Sequence, residues 1–202
     1  MRVDVPFSSI IIIDMKRFVA IAACILIAGL AAPADLAAQT PLSAEAAIER
    51  DRLFEALLTA PSEEAADPIE FQIMQFWMSQ APDQSSAEMM TQVMERRRQY
   101  DFAGAMKILD PLVERAPNWA EAWNQRATVL YLQQNFEDSL VDVERVLELE
   151  PKHFGALAGK AIMLMQQGRT TLGQKALREA LALDPWLSER RMLLPEAPSQ
   201  KL

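Results

Sequence analysis

The sequence predicts an all-α chain: an array of about three stacked helix hairpins, preceded by further helices. Three observations predict it. Only 6 of 202 residues are glycine, while Ala, Leu, Met, Glu, Gln and Arg, which lose least on entering a helix, are plentiful. Pro117, Pro151 and Pro185 are evenly spaced and close the similar strings LDPLVERAP, VERVLELEP and LREALALDP. A fixed period of roughly 34 residues marks stacked helical units. Within each period, apolar residues recur at helical spacing on both sides of a short polar turn.

The amino terminus reads as an address. Residues 18–32, FVAIAACILIAGLAA, carry no charge, follow Lys16-Arg17 and lead into small residues. That order makes a secretory signal peptide, and the run is shorter than the roughly 20 residues a spanning helix needs. Residues 1–38 are therefore read as a leader to the periplasm, cut after Ala38 or after Ala34. A leader starting at Met15, directly before Lys16, has conventional proportions, so residues 1–14 read as an over-extended start. Cys24 keeps a second reading open. Ile21-Ala22-Ala23-Cys24 is similar to a bacterial lipobox and would make a lipoprotein, although eight more apolar residues follow it.

Residues 39–85 form an amino-terminal helical segment. A helix is predicted over 43–60, with Ser43 at its cap and Leu53, Phe54, Leu57 and Leu58 on one face. Pro61 closes it. A second helix is predicted over 68–80, with Pro68 in its first turn and Phe71, Met74 and Met78 on one face beside Trp77. The pair reads as a hairpin that caps the array, because a terminal unit lacks a neighbour.

The repeated units are 86–119, 120–153 and 154–187. Small residues recur where paired helices must approach: Ala127 and Ala161 in first helices, and Ala105, Ser139 and Gly173 in second helices. Pro111 lies inside the second helix of unit one and should bend it. Residues 188–202 follow as a short cap, WLSERRMLL from Trp186 onward, and a frayed tail.

The middle unit, AEAWNQRATVLYLQQNFEDSLVDVERVLELEP, resembles a tetratricopeptide repeat almost position for position. Trp123 matches the family's opening aromatic, Ala127 its small crossing residue, Phe136 its turn aromatic and Pro151 its terminal proline. Unit one departs at Arg96, where an apolar residue is usual. Unit three keeps Ala161, Leu164, Leu177 and Ala180 but has Thr170 for the turn aromatic. The resemblance implies a right-handed α-solenoid whose first helices line a concave, protein-binding groove. On that pattern the groove would carry Met90, Met94, Arg97 and Arg98 from unit one, and Asn124, Thr128, Tyr131 and Leu132 from unit two. Unit three would add Ala158, Ile162, Met165 and Gln166. Methionine suits an adaptable surface, but a methionine stripe at helical spacing is more often packed. The 43–60 helix could also fold into the groove and close it. The charged clamp of the family's co-chaperones is absent, with Met90, Met94, Gln125, Gly155 and Gly159 at the matching places.

Composition excludes much else. A net charge of −8 opposes nucleic acid and anionic lipid. Arg96-Arg97-Arg98 reads as a solvated or carboxylate-paired face. One cysteine and one histidine leave no zinc cluster and no intrachain disulfide. No Ser-His-Asp arrangement, P-loop, GxGxxG or HExxH occurs. His153, at an inter-repeat turn, reads as solvent-exposed, and Glu63-Glu64 and Glu148/Glu150 as solvated. The expectation is therefore a periplasmic scaffold without catalysis, cofactor, metal or small-molecule substrate, whose partners are one or more proteins or peptides of the cell envelope. The alternative is a membrane-associated structural subunit of an envelope assembly.

Overall fold

The computed structural model describes residues 42–195. The leader 1–38 with its candidate starts and cut sites, Cys24, and the tail 196–202 lie outside the described residues. Among those described there are eight α-helices, one 3-10 helix and no strand. The helices are α1 (Ala44–Leu58), α2 (Glu63–Ser79), α3 (Gln84–Arg98), α4 (Phe102–Arg115), α5 (Ala120–Leu132), α6 (Phe136–Leu149), α7 (Phe154–Gln166) and α8 (Thr170–Leu183). Ser188–Met192 forms the 3-10 turn. No described helix is long and apolar enough to cross a membrane.

The hairpins α3–α4, α5–α6 and α7–α8 repeat one backbone plan. Each first helix ends in a left-handed residue: Tyr100 at φ 57°, Gln134 at φ 63° and Gly168 at φ 76°. These three recur at the same interval as the prolines. The next amide reaches back over the turn, Asp101 N–H to Arg96 O at 2.9 Å, Asn135 N–H to Leu130 O at 2.9 Å and Arg169 N–H to Leu164 O at 2.8 Å. This closure satisfies a carbonyl that the helix end would otherwise leave free. The small crossing residues sit where the helices meet. Ser139 Oγ donates to Ala127 O at 2.7 Å, and a methyl added to Gly173 would stand 2.8 Å from Ala161 O. Pro111 lies inside α4, as expected, and the helix is continuous through it. Pro111 and Lys107 are both exposed, so the Lys107 carbonyl that the proline leaves unpaired is on the water side of the helix.

The amino-terminal hairpin differs from its prediction in three ways. First, α2 starts at Glu63, five residues before Pro68, because Ser62 Oγ accepts from Ala65 N–H at 3.3 Å and caps it. Second, its buried face is Ala66, Ile73, Phe76 and Trp77, while Phe71 and Met74 are 57% and 50% exposed. In α1 the buried face is Leu53, Phe54 and Leu57, and Leu58 points out. Third, the hairpin does not stand in line ahead of unit one. Its buried residues share one core with Phe154, Leu157 and Ala158 of α7, Ala180 of α8 and Leu187. It is laid back across the later units, where it covers apolar ends of first helices that the array by itself leaves bare.

Candidate functional site

Between α5 and α7 a cleft of about 130 Å³ remains open. Its floor is Ala127, Ala156, Gly155 and Gly159, and its rim includes Asn124, Thr128, Tyr131 and Ile162. Residues 155, 159 and 162 follow one helix face, as do 124, 128 and 131, so the two rows run side by side. Thr128 Oγ1 donates to Asn124 O at 2.8 Å, which turns the threonine methyl outward. Tyr131 rests on Phe136 at 5.7 Å between ring centroids, and Gln166 Nε2 reaches its hydroxyl at 3.4 Å. A methyl built on Gly159 would meet nothing within 4 Å. The cleft can take one medium-sized apolar group with polar contacts at its edge.

The other residues predicted for a groove are placed unequally. Met90 is 1% exposed, in the core that unit one shares with Trp119 and Ala122, so it has no surface to offer a partner. Met165 is half-buried against Gly173 and receives Gln174 Nε2 at 3.1 Å. Met94 is half-buried beside Arg97, Ala158 is buried under the amino-terminal hairpin, and Leu132 is exposed. The methionines thus pack more than they present. The three arginines divide: Arg96 pairs with Asp101 at 2.8 Å and Arg98 with Glu95 at 2.6 Å, whereas Arg97 turns inward and donates to Gln125 Oε1. Burial pushes the Arg97 guanidinium below its ordinary pKa, and the negative charge of Glu121 opposes that shift.

Arg97 leads into a buried polar chain that the sequence pattern does not announce. Gln125 Nε2 donates to Glu121 Oε1 at 2.5 Å, and Asn124 Nδ2 donates to the same oxygen at 3.2 Å. Glu121 Oε2 meets His153 Nε2 at 3.2 Å. His153 is 2% exposed, which corrects the expectation of an exposed turn residue. Its Nδ1 accepts from Ala156 N–H at 3.1 Å and caps α7. A ring nitrogen that accepts carries no proton, so in the neutral ring Nε2 is the nitrogen that donates to Glu121. The imidazole lies flat on the Trp77 indole, 3.9 Å between centroids at 10°. Trp119 Nε1 donates to Trp77 O at 2.9 Å. Thus α2 covers one end of the first-helix surface through an indole wedged among Phe54, His153 and Phe154. Periodicity could not reveal this, because Trp77 and His153 belong to segments with no shared repeat.

Three ion pairs tie the hairpin down: Arg50 with Glu150 at 3.4 Å, Asp51 with Lys152 at 2.8 Å and Glu63 with Arg190 at 2.6 Å. Glu63 therefore has a cation partner, where the sequence predicts only solvation. Glu150, also expected to be solvated, is 5% exposed.

No family model matches the chain. A Rhizobium etli protein described as TPR repeat-containing is 41% identical over 81 residues, 40% of this chain and 40% of that one. The chain thus spans about two fifths of the length of the curated relative it matches. Among solved structures, the TPR2B domain of yeast Sti1 in its pHsp70 complex is similar to 55% of this chain, with 90% of that chain covered, 21% identity and a TM-score of 0.51. A MamA structure covers 75% of this chain and 98% of its own, at 14% identity and a TM-score of 0.47. With hairpins and left-handed turn residues recurring at one fixed period, and with the fold of a TPR domain, the chain is an all-α, tetratricopeptide-like array, similar over 81 residues to a TPR repeat-containing protein.

Proposed function

We propose that this protein is a non-catalytic adaptor, exported to the periplasm, that holds a peptide or helix of one or more envelope proteins in the cleft between α5 and α7. The observation that carries this reading is the cleft's construction. Gly155 and Gly159 withhold side chains from its floor, while Asn124, Thr128, Tyr131 and Ile162 stand around it. A bare backbone floor with a polar rim suits a protruding apolar side chain held by hydrogen bonds to its own backbone. The absence of catalysis is supported by the sole histidine, whose two nitrogens are engaged by Ala156 N–H and Glu121.

Gly159→Leu tests the site. The added side chain enters open space, and leucine in place of a helical glycine favours the helix by about 1 kcal/mol. Stability should therefore hold or rise while capture of partners from an envelope extract, read by crosslinking and mass spectrometry, is lost. Undiminished capture removes the cleft from the function. Export is supported by the uncharged run 18–32 behind Lys16-Arg17. Osmotic shock should release a chain whose mass corresponds to cleavage near Ala38. Retention in membranes would favour the structural subunit instead.

A further inference from the structure

Successive units touch through one repeated pair of positions. Asp110 on α4 meets Arg126 on α5 at 3.5 Å, and Glu144 on α6 meets Lys160 on α7 at 2.6 Å. One period further on, these positions are Arg178 on α8 and Leu194. They meet as well: Arg178 Nη2 donates to Leu194 O at 3.0 Å. The segment at Leu194 therefore stands against α8 where a following unit would bring its first helix. The acid of the earlier pairs has become a cation, and what it meets is a main-chain carbonyl.

A second position changes with it. Met106 and Leu140 pack against buried apolar cores, but their equivalent in unit three is Gln174, which is 6% exposed. Its carboxamide grips the chain on both sides of Leu193. Nε2 donates to Met192 O at 2.9 Å, and Oε1 accepts from Leu194 N–H at 2.7 Å. Leu193 is extended, at φ −70° and ψ 122°. In an extended chain these two groups point to one side, and a neighbouring strand meets them with one N–H and one C=O. Gln174 presents the same donor and acceptor from a single side chain. The side chains of the held segment stay out: Met192, Leu193 and Leu194 are 42%, 40% and 53% exposed.

We infer that Gln174 and Arg178 form a docking site for an extended segment of a partner protein, which takes the place that Met192–Leu194 holds in this structure. The bonds that hold the resident segment all go to main-chain atoms, so the site reads an extended backbone and not a side-chain sequence. This is recognition by strand addition, with side chains of α8 as the receiving edge. The incoming segment needs an N–H where Leu194 has one, which bars proline from that place. A buried carboxamide is costly to leave unpaired, so the site passes from one occupant to the other and does not stand empty. The resident segment is tethered through the 3-10 turn, and it competes as an intramolecular ligand. None of these residues lines the cleft between α5 and α7, so the site stands whatever the cleft binds.

NMR of the Gln174 side-chain amide in the full chain tests the exchange. Leu194→Pro puts a ring carbon where Gln174 Oε1 accepts its proton and should shift the Gln174 amide signals as the resident segment leaves. The probe is a synthetic peptide, RMLLPEA, the sequence of residues 191–197. Added to Leu194→Pro, it should return those signals towards their wild-type positions. In the unsubstituted chain, binding should need at least about tenfold more probe, because the site is already filled. A probe with threonine at the Met192 and Leu193 places should act as well as the first, and one with proline at the Leu194 place should not act. The proposal is overturned if Leu194→Pro leaves the signals unmoved, or if the first probe fails to restore them. It is overturned equally if the threonine probe fails, if the proline probe succeeds, or if both chains respond at the same probe concentration.

Discussion

Glu121 and Gln125 in α5 occupy the same repeat positions as Gly155 and Gly159 in α7, on helices of equal length. In unit two the stripe is filled by side chains that bond each other, Arg97 and His153. In unit three it is empty and leaves a cleft. Two neighbouring units with the same backbone plan thus present opposite surfaces, one sealed by a polar chain and an overlying helix, the other open. Within a repeat, the backbone decides where a stripe lies, and side chains one turn apart decide whether it is a seal or a socket.

The contrast can be broken most severely at Trp77. Trp77→Ala removes the indole from between Phe54, His153 and Phe154, and should cost about 3–5 kcal/mol by urea unfolding. Exchange in 44–79 should rise ahead of the array. A loss below about 1 kcal/mol would show that the seal does not depend on this contact.

Next in size is the polar chain itself. Glu121→Ala leaves His153 Nε2 and Gln125 Nε2 buried without their acceptor, which should cost about 1–3 kcal/mol. The exchange protection of α7's first turn should fall with it, because His153 caps that helix. If stability is unchanged, the chain is a passive filler and not a seal.

The smallest effects test the premise that the backbones are equivalent. Gly168→Ala places a methyl at φ 76° with no neighbour within 4 Å, so any loss, about 1 kcal/mol, is conformational. Gln134→Gly, at the matching turn of unit two, should gain a few tenths to about 1 kcal/mol. Opposite signs at equivalent positions sharpen the comparison. The same sign at both would mean that the turns are not equivalent.

The units are legible in the sequence because their evidence is local. Prolines at a fixed interval, Ala127 and Ala161 at the crossings, and apolar stripes on both sides of a polar turn are all contained within about one repeat. Where α1 and α2 lie is not legible. Amphipathicity says that a face is buried but not against what, and α2 has two apolar stripes. Periodicity selects Phe71, Met74 and Met78; packing selects Ala66, Ile73, Phe76 and Trp77. Pro68 marks a plausible helix start because proline favours a first turn, yet Ser62 with Glu63 and Glu64 behind it caps more strongly. Of the groove residues in α5 and α7, Asn124, Thr128, Tyr131 and Ile162 line the cleft, while Leu132, Ala158, Met165 and Gln166 do not. Met90 does not, because the core of unit one needs a large side chain there. His153 escapes the sequence for the same reason as α2: its environment comes from Trp77, in a distant segment outside the repeats.

The hairpin also bears on how many units the array can contain. With 17 residues, α2 is roughly 25 Å long, and its two ends are fastened to different places: Glu63 to the turn after unit three, Trp77 to Trp119 and His153, the N-cap residues of α5 and α7. The backbone plan of a unit would accept another copy, since each ends as the next begins. The spanning helix would not, because an inserted copy moves one anchor by a whole period and leaves the other behind. In this protein α2 acts as a measuring rod for the solenoid. Lineages that lengthen the array would have to lengthen or release this helix in the same step.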